Sequence, residues 1–300
     1  MRSHLGVFLS SMLAVAFATS APAQVGSAGD STAYHIYPSA SVRARSPSPG
    51  DRAVNDAQTM LYYGGPVIAN VRIVSVIWGP NVNRTTAARI GPFLGAVVNS
   101  TYIDQLAQYA TNRTAVNGQA GTNQKIGRGA YRGQFMIMPK NASPSLTDAA
   151  IQTEIRQQIA AGKLPAADLN TLYMIYFPFN VTITSFGKSC VAFAAYHSSS
   201  SGAVSTSNLF YGVMPDCGGG FADMTISSSH EIAEAVTDAI PTPGSKPVFP
   251  QAWNTSTGYE IADLCQGTKT TLTGAGKNYS VQQVFLNSTG KCGTGKFTSP

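Results

Sequence analysis

The residues of this 300-residue chain that are best suited to catalysis lie close together, between positions 227 and 238. The chain contains only four histidines and four glutamates, and His230 is followed directly by Glu231 and, a little further on, by Glu234. This is the spacing of the His-Glu-x-x-His helix of zinc hydrolases, with a glutamate in place of the second histidine. Because residues four apart lie on one face of a helix, His230 and Glu234 are predicted to bind one metal ion.

A third ligand is predicted in a second acidic segment, residues 258–265. Zinc hydrolases with such a helix take a further ligand from outside it, commonly a glutamate later in the chain, and Glu260 meets this requirement. Asp263 is expected to orient His230 by accepting a hydrogen bond from its imidazole. His197, at the end of a predicted strand, is the first alternative ligand or a donor to the transition state, although a histidine at a strand end more often has a structural role.

These residues together predict a hydrolytic metal site. Zn²⁺ is the expected ion, but one histidine and two carboxylates form an oxygen-rich set that leaves Mn²⁺ or Ca²⁺ open. A bound divalent ion lowers the pKa of a water molecule, and Glu231 is predicted to take the proton as the general base. The predicted metal ligands are His230, Glu234 and Glu260, and the predicted catalytic residues are Glu231 and His197.

The same helix also has an interpretation without a metal. Ile232, Val236 and Ile240 would form an apolar stripe opposite the polar face, as in an ordinary amphipathic helix. Ser228 and Glu231 have the spacing of a capping box, which would give Glu231 a structural role at the start of the helix. Under this interpretation the second acidic segment would be a solvated loop.

Several motifs resemble one known family. They are SSHEIAEAVTDA (228–239), a tryptophan at 253, GYEIADLC (258–265), YSVQQVFLNSTGKC (279–292), and the strand-like segments 62–79, 170–178 and 190–199. Together they resemble the Exordium/phosphate-induced protein 1 superfamily, and most of all its bacterial secreted members, over about residues 60–292. The resemblance implies a secreted protein, a cell-wall or apoplastic role in plants, a zincin-like metal site and a histidine at position 197, but no particular reaction. Ala239 and Phe285-Leu286 depart from the family pattern, and neither departure affects a predicted ligand.

The N-terminus predicts export. Arg2, an apolar run over residues 5–18 and the sequence Ala21-Pro22-Ala23 are typical of a signal peptide, here residues 1–23. No other stretch is long enough to span a bilayer, so we expect a secreted, extracellular or periplasmic protein without a membrane anchor. A formal net charge of +6 and 11% charged residues, with no basic stripe, argue against nucleic-acid binding. We expect a monomer.

The four cysteines, Cys190, Cys217, Cys265 and Cys292, predict two disulfides, since an even number in an exported protein is typical of disulfide bonding. Three pairings are open. We favour Cys190 with Cys217 and Cys265 with Cys292, because both pairs are local in sequence. The second pair would fix the Glu260 segment to the C-terminal part of the chain.

The rest of the chain predicts an α/β fold. Residues 24–60 are rich in Ala, Ser, Pro and Gly and are predicted to be a flexible tail or pro-segment. Residues 61–300 are predicted to form one main domain, a mixed sheet with helices packed on it, a zincin-like site helix and two disulfides. Strands are predicted at 67–78, 133–138, 172–177, 191–196, 209–213 and 281–286, helices at 92–110, with a break at 99–101, and at 145–161, and a loop at 112–132.

Two functions from different classes follow. The first is a secreted metal-dependent hydrolase that acts on a peptide or protein substrate. The alternative is a non-catalytic extracellular protein that binds a cell-wall component or a partner, with a structural ion or none. Site geometry separates the two, because a hydrolytic metal site needs an open coordination position and a structural site is closed.

Overall fold

The computed structural model describes residues 36–38, 59–185, 187–241, 246–293 and 295–300. The predicted signal peptide and most of the predicted tail or pro-segment lie outside the described residues. The helices are α1 (Arg84–Val98), α2 (Thr101–Asp104), α3 (Asp148–Ala160) and α4 (Gly220–Thr237). The strands are β1 (Ile36–Pro38), β2 (Leu61–Tyr62), β3 (Asn70–Trp78), β4 (Gly127–Ile137), β5 (Ser145–Thr147), β6 (Thr171–Tyr176), β7 (Thr182–Thr184), β8 (Phe193–Ser199), β9 (Phe210–Met214), β10 (Trp253–Asn254), β11 (Lys269–Gly274), β12 (Lys277–Gln282), β13 (Phe285–Leu286), β14 (Lys291–Cys292) and β15 (Phe297–Thr298).

The main sheet is mixed, as predicted, with the strand order β1-β8-β9-β6-β3-β4. The four strands from β9 to β4 are parallel, whereas β8 runs antiparallel to β9 and β1 runs antiparallel to β8. Parallel strands that are covered on both faces have nearly continuous apolar sequences, and every residue of β6 and β9 is buried. The predicted α/β fold with helices on a mixed sheet is confirmed.

The two faces of β8 and β9 meet different helices. Successive side chains of a strand point to opposite faces, so Tyr196 and Tyr211 face one way and His197 and Gly212 face the other. The two tyrosines bond to Asp148 at the start of α3, whereas α4 packs against the opposite face of these strands and against β12. The sheet therefore separates a tyrosine-lined side from a histidine-lined side.

Several element boundaries differ from the predictions, and two of the differences have a clear physical reason. Helix α1 begins at Arg84, with Asn83 as its cap, and Pro92 lies inside it rather than at its start. The proline removes one backbone hydrogen bond, but the buried side chains of Ile90, Phe93 and Leu94 hold the helix against its neighbours. Strand β4 begins at Gly127, inside the predicted loop, because it pairs with β3 along the edge of the main sheet. The predicted break at 99–101 is confirmed by the separate helix α2.

Both predicted disulfides are present, Cys190–Cys217 and Cys265–Cys292, each with a sequence separation of 27. The first joins the segments that flank the β8–β9 pair. The second joins the short 3₁₀ helix after Glu260 to β14. Within the part of the chain that the structure describes, none of the helices combines the length and the apolar character needed to cross a membrane.

Candidate metal centre

The central element of the site is α4, which starts earlier than the sequence indicates. It begins at Gly220, so Ser228 and Glu231 lie well inside the helix and the predicted capping box at its start is wrong. The serines instead bond to the surroundings of the helix: Ser228 Oγ lies 3.2 Å from Tyr176 Oη, and Ser229 Oγ accepts a hydrogen bond from the Gln282 backbone. Such contacts with other elements replace the capping role that the local pattern suggested.

Helix α4 has no solvent-exposed face over its second half. The expected apolar stripe of Ile232 and Val236 is buried, but so is every other residue from Met224 to Thr237. The helix is enclosed by β8, β9, β12 and α1. The polar face that carries His230, Glu231 and Glu234 therefore meets protein groups instead of water.

His197 brings β8 into the site. It lies opposite Gly212 of β9 in the register of the sheet, and a Cβ atom on that glycine would lie 4.0 Å from the Cβ of Glu231. That is an ordinary van der Waals distance, and the nearest neighbour of such a Cβ is Met174 Sδ of β6 at 2.7 Å, so the glycine makes room for Met174. His197 Nδ1 lies 3.2 Å from Glu231 Oε2 and 3.8 Å from Glu234 Oε2.

Glu260 approaches His197 from the other side of the imidazole ring. Its Oε1 lies 3.5 Å from His197 Nε2. The segment that carries Glu260 is fixed by hydrogen bonds: the Glu260 backbone donates to Asp263 Oδ2, and the Asp263 backbone donates to Glu234 Oε1. The Cys265–Cys292 disulfide also fixes this segment.

His230, also on α4, contacts Glu234. Its Nε2 lies 3.0 Å from Glu234 Oε2 and 3.9 Å from Asp263 Oδ1. At 3.9 Å the Asp263 carboxylate is too far from His230 Nε2 for the predicted hydrogen bond, and its orienting role stays a prediction. Glu234 lies between the two histidines and contacts both.

Two groups of three residues have ligand atoms within 4.8 Å of one another, namely His197 with Glu234 and Glu260, and His230 with Glu231 and Glu234. The predicted ligands His230, Glu234 and Glu260 are divided between these groups, and that ligand set stays a prediction. His197, the first alternative ligand, belongs to the group that contains Glu234 and Glu260. All five residues are buried. We call them, with Asp263, the acidic–histidine cluster.

Burial dominates the electrostatics of this cluster. It raises the pKa of Glu234, Glu260 and Asp263 well above the ordinary values, because the charged carboxylates lose their hydration, and neighbouring carboxylates raise it further. Burial lowers the pKa of His197, although Glu234 and Asp238 partly oppose this shift. Without an ion, burial therefore favours the protonated forms of Glu234, Glu260 and Asp263 and the neutral imidazole of His197.

Asp238, just after α4, supports the site from its edge. Its carboxylate accepts hydrogen bonds from the Ala252 backbone at 2.8 Å and from Asn254 Nδ2 at 2.7 Å. Burial raises its pKa to about 7, and its backbone hydrogen-bonds His197. A metal-binding imidazole usually has such a partner on its second nitrogen, a role that the sequence did not assign to Asp238.

The cluster fits a divalent cation. Imidazole nitrogens and carboxylate oxygens are the donors that Zn²⁺ and Mn²⁺ take in proteins. Glu234 Oε2 is buried and forms no hydrogen bond within the described residues, although it lies close to both imidazoles. A buried carboxylate oxygen in this state is costly unless a cation balances it.

Comparison of the chain with protein-family models, with curated proteins and with solved structures finds no significant match. The candidate function therefore depends on the cluster itself.

Proposed function

We propose that this protein is a secreted metal-dependent hydrolase that cleaves peptide bonds. The observation that carries the proposal is the convergence of two histidines and three glutamates from β8, α4 and the Glu260 segment within one buried cluster. The chain has only one other glutamate, Glu154. Concentrating glutamates beside histidines in an enclosed space is costly for folding alone and is typical of a metal centre.

Each residue of the cluster has a proposed role. His230, Glu234 and Glu260 would hold the ion, and His197 would contribute from the sheet as a further ligand or as a donor to the reacting carbonyl. A bound divalent ion supplies Lewis acidity, which polarises a carbonyl and lowers the pKa of a water molecule. Glu231 accepts the proton of the attacking water as the general base. Its Oε2 lies 3.2 Å from Nδ1 of His197, whose imidazole would face the substrate.

A peptide is favoured over other substrates by the edge of the main sheet. The backbone of β1 pairs antiparallel with β8, with Ile36 opposite Tyr196 and Tyr37 opposite Ala195. This edge thus accepts an extended segment next to the strand that carries His197, and added strands are a common mode of peptide recognition. A peptide substrate bound in the same way would lie beside the cluster.

The compartment and the family relation belong to the same proposal. Two disulfides are compatible with an oxidising, extracellular or periplasmic location, and the N-terminal signal sequence favours export. The motifs around α4 and the Glu260 segment support a relation to Exordium-like secreted proteins. Zn²⁺ is the proposed ion, with Mn²⁺ or Ca²⁺ as alternatives.

A second candidate function is favoured by one observation, the burial of the cluster. The side chain of His197 is 1% exposed, and those of Glu231, Glu234, Glu260 and His230 are fully buried. A closed site of this kind suits a structural ion. In that case the protein is a non-catalytic extracellular protein whose fold depends on the ion, and its outer surface binds a partner or a cell-wall component.

The deciding experiment compares two glutamine substitutions in the full chain. Glu231→Gln is expected to keep the metal and the fold but to lower hydrolysis of a peptide library by about 10²- to 10⁴-fold. Glu234→Gln is expected to weaken metal binding, because a neutral amide is a poorer ligand. The matched control is Glu154→Gln, since Glu154 is also buried but lies outside the cluster and accepts hydrogen bonds from the Lys140 backbone and Gln158.

The results separate the two candidates. If the wild-type protein binds metal but hydrolyses no peptide, and Glu231→Gln changes nothing, the structural-ion function replaces the hydrolase. If Glu231→Gln loses the metal, Glu231 is a ligand and the proposed roles are wrong.

A further inference from the structure

We propose that the acidic–histidine cluster binds two divalent cations, with the carboxylate of Glu234 bridging them. The inference rests on the metal site of the proposed function, adds a second ion to it, and makes Glu231 a ligand of that ion instead of the general base. One ion would bind to His197, Glu234 and Glu260, and the other to His230, Glu231 and Glu234.

The donors form two groups of three that share Glu234, although Glu231 of the second group also lies 3.2 Å from His197 Nδ1 of the first. Within the described residues, the ligand atoms of each group lie within 4.8 Å of one another. Ligand distances of about 2.0–2.2 Å place two donors of one ion at most about 4.4 Å apart, so small side-chain movements would close each group around an ion. An ion held by the three residues of one group would leave two ligand residues of the other group without a cation.

The orientation of Glu234 suits a bridge. Its Oε1 accepts a hydrogen bond from the Asp263 backbone at 3.1 Å, which fixes the carboxylate. Its Oε2 faces both imidazoles, at 3.0 Å from His230 Nε2 and 3.8 Å from His197 Nδ1, and forms no hydrogen bond. In known two-metal hydrolytic sites the ions lie about 3.5–4 Å apart, a separation that one carboxylate spans.

The charge of the cluster gives an independent argument. Four buried carboxyl groups lie on or next to the site, those of Glu231, Glu234, Asp238 and Glu260, and beside them lies Asp263, whose side chain is 10% exposed. The elements that carry the cluster, β8, α4 and residues 255–265, contain no lysine or arginine. One divalent ion balances two ionised carboxylates and leaves the others repelling one another, whereas two ions balance four. Asp238, whose carboxylate has its own hydrogen-bond donors, accounts for the fifth.

The stoichiometry of metal binding tests this proposal without any assay of activity. The full chain is freed of metal with a chelator, reloaded with Zn²⁺ or with Mn²⁺, dialysed and analysed for metal per chain by mass spectrometry. We expect two ions per chain in the wild-type protein and in Glu154→Gln. With Mn²⁺, electron paramagnetic resonance is expected to show a magnetically coupled pair.

Two single substitutions locate the ions. His197→Ala and His230→Ala are each expected to reduce the content from two ions to one and to abolish the coupled Mn²⁺ signal. Glu234→Ala is expected to reduce it below one, because both groups lose a ligand. Circular dichroism checks that each variant is folded, and the wild-type content stands as a test even if a variant fails to fold.

The failures of this proposal and of the proposed function are distinguishable. One ion per wild-type chain, with an uncoupled Mn²⁺ signal, overturns the two-ion site and leaves a single-metal hydrolase intact. A wild-type protein that binds no divalent cation overturns both.

Discussion

Two groups of carboxylates lie on opposite faces of β8 and β9, and they are satisfied in different ways. On the α3 face, Asp148 accepts hydrogen bonds from Tyr196 Oη at 2.6 Å, Tyr211 Oη at 2.9 Å and Gln152 Nε2 at 2.8 Å. Glu154, one turn and a half further along α3, is satisfied by the Lys140 backbone and Gln158. Every partner on this face is an uncharged donor.

On the α4 face the carboxylates lie close to one another and to two histidines. Glu231, Glu234 and Glu260 lie around the single imidazole of His197. A carboxylate with enough neutral donors needs nothing more when it is buried, whereas several carboxylates that share few donors need a cation. Buried carboxylates that have neutral donors therefore do not indicate a metal site, whereas buried carboxylates that lie next to one another do.

The largest expected effect is that of removing the metal. Chelation should destabilise the protein by about 4 kcal/mol when the free ion had been present at about 1,000 times its dissociation constant. For a domain of this size that corresponds to a decrease in Tm of about 10 °C. Differential scanning calorimetry with and without chelator measures it. Glu154→Gln should respond like the wild type, and an unchanged Tm would contradict the contrast between the two faces.

The two disulfides offer a matched pair for a second test. Their sequence separations are equal, 27 residues each, so replacing either cystine by serines should lower stability by a similar amount, about 3 kcal/mol. Only the loss of Cys265–Cys292 should also weaken metal binding, by about 10- to 100-fold, because it frees the segment that holds Glu260. Calorimetric metal titration of both variants tests this. Equal affinities would mean that other contacts fix Glu260.

The opposite face gives the third test. Asp148→Ala should destabilise the protein by about 2–3 kcal/mol, since two buried tyrosine hydroxyls lose an acceptor. The metal content should not change, because Asp148 lies on the other side of the sheet. Urea denaturation measures the stability and elemental analysis the metal. Loss of metal in this variant would show that the two faces are coupled through β8.

The pH dependence of stability should change sign with metal loading. Without metal, the folded protein keeps a proton on Asp238 up to a pKa of about 7, whereas the unfolded chain loses it near pH 4. The folded state then binds more protons than the unfolded state, so the free energy of unfolding falls as the pH rises from about 4 to about 7. With metal, the ion competes with protons for the raised-pKa carboxylates, and stability rises over the same range.

Thermal unfolding at several pH values, with and without Zn²⁺, measures both slopes. Asp238→Asn should flatten the slope of the metal-free protein. Parallel slopes in the two states would show that the ion does not replace protons in this cluster.

The smallest expected effect on stability is at the sheet edge. Tyr37→Pro removes a backbone donor from β1 and should weaken its pairing with β8 at a cost of less than about 1 kcal/mol. If peptide substrates pair with the same edge of β8, weaker pairing of β1 should leave that edge open to them. Hydrolysis by the full chain should then increase. Steady-state assays compare the variant with the wild type. Faster proteolysis near β1 would show that β1 is released. If hydrolysis of the substrate is nevertheless unchanged, the edge of β8 is not where the substrate binds.

Local sequence alone indicated much of the site. The spacing of His230, Glu231 and Glu234 in the chain places them along one helix, and a helix keeps that relation wherever it packs. The shortage of glutamates in the chain singles out Glu260, and the cysteines pair locally, as predicted, because short loops close easily. The buried parallel strands were recognisable from their continuous apolar runs, as in β6 and β9.

Only the tertiary structure decided the rest. His197 meets Glu231 across 34 positions of sequence because the register of β8 on β9 and the packing of α4 on both strands bring them together, which no local pattern encodes. The same packing encloses Ser228 and Glu231 inside α4 and overrides the capping-box signal. Spacing along one element is fixed by backbone geometry, but contacts between elements depend on register and packing, and these divided the predicted ligands into two groups that share Glu234.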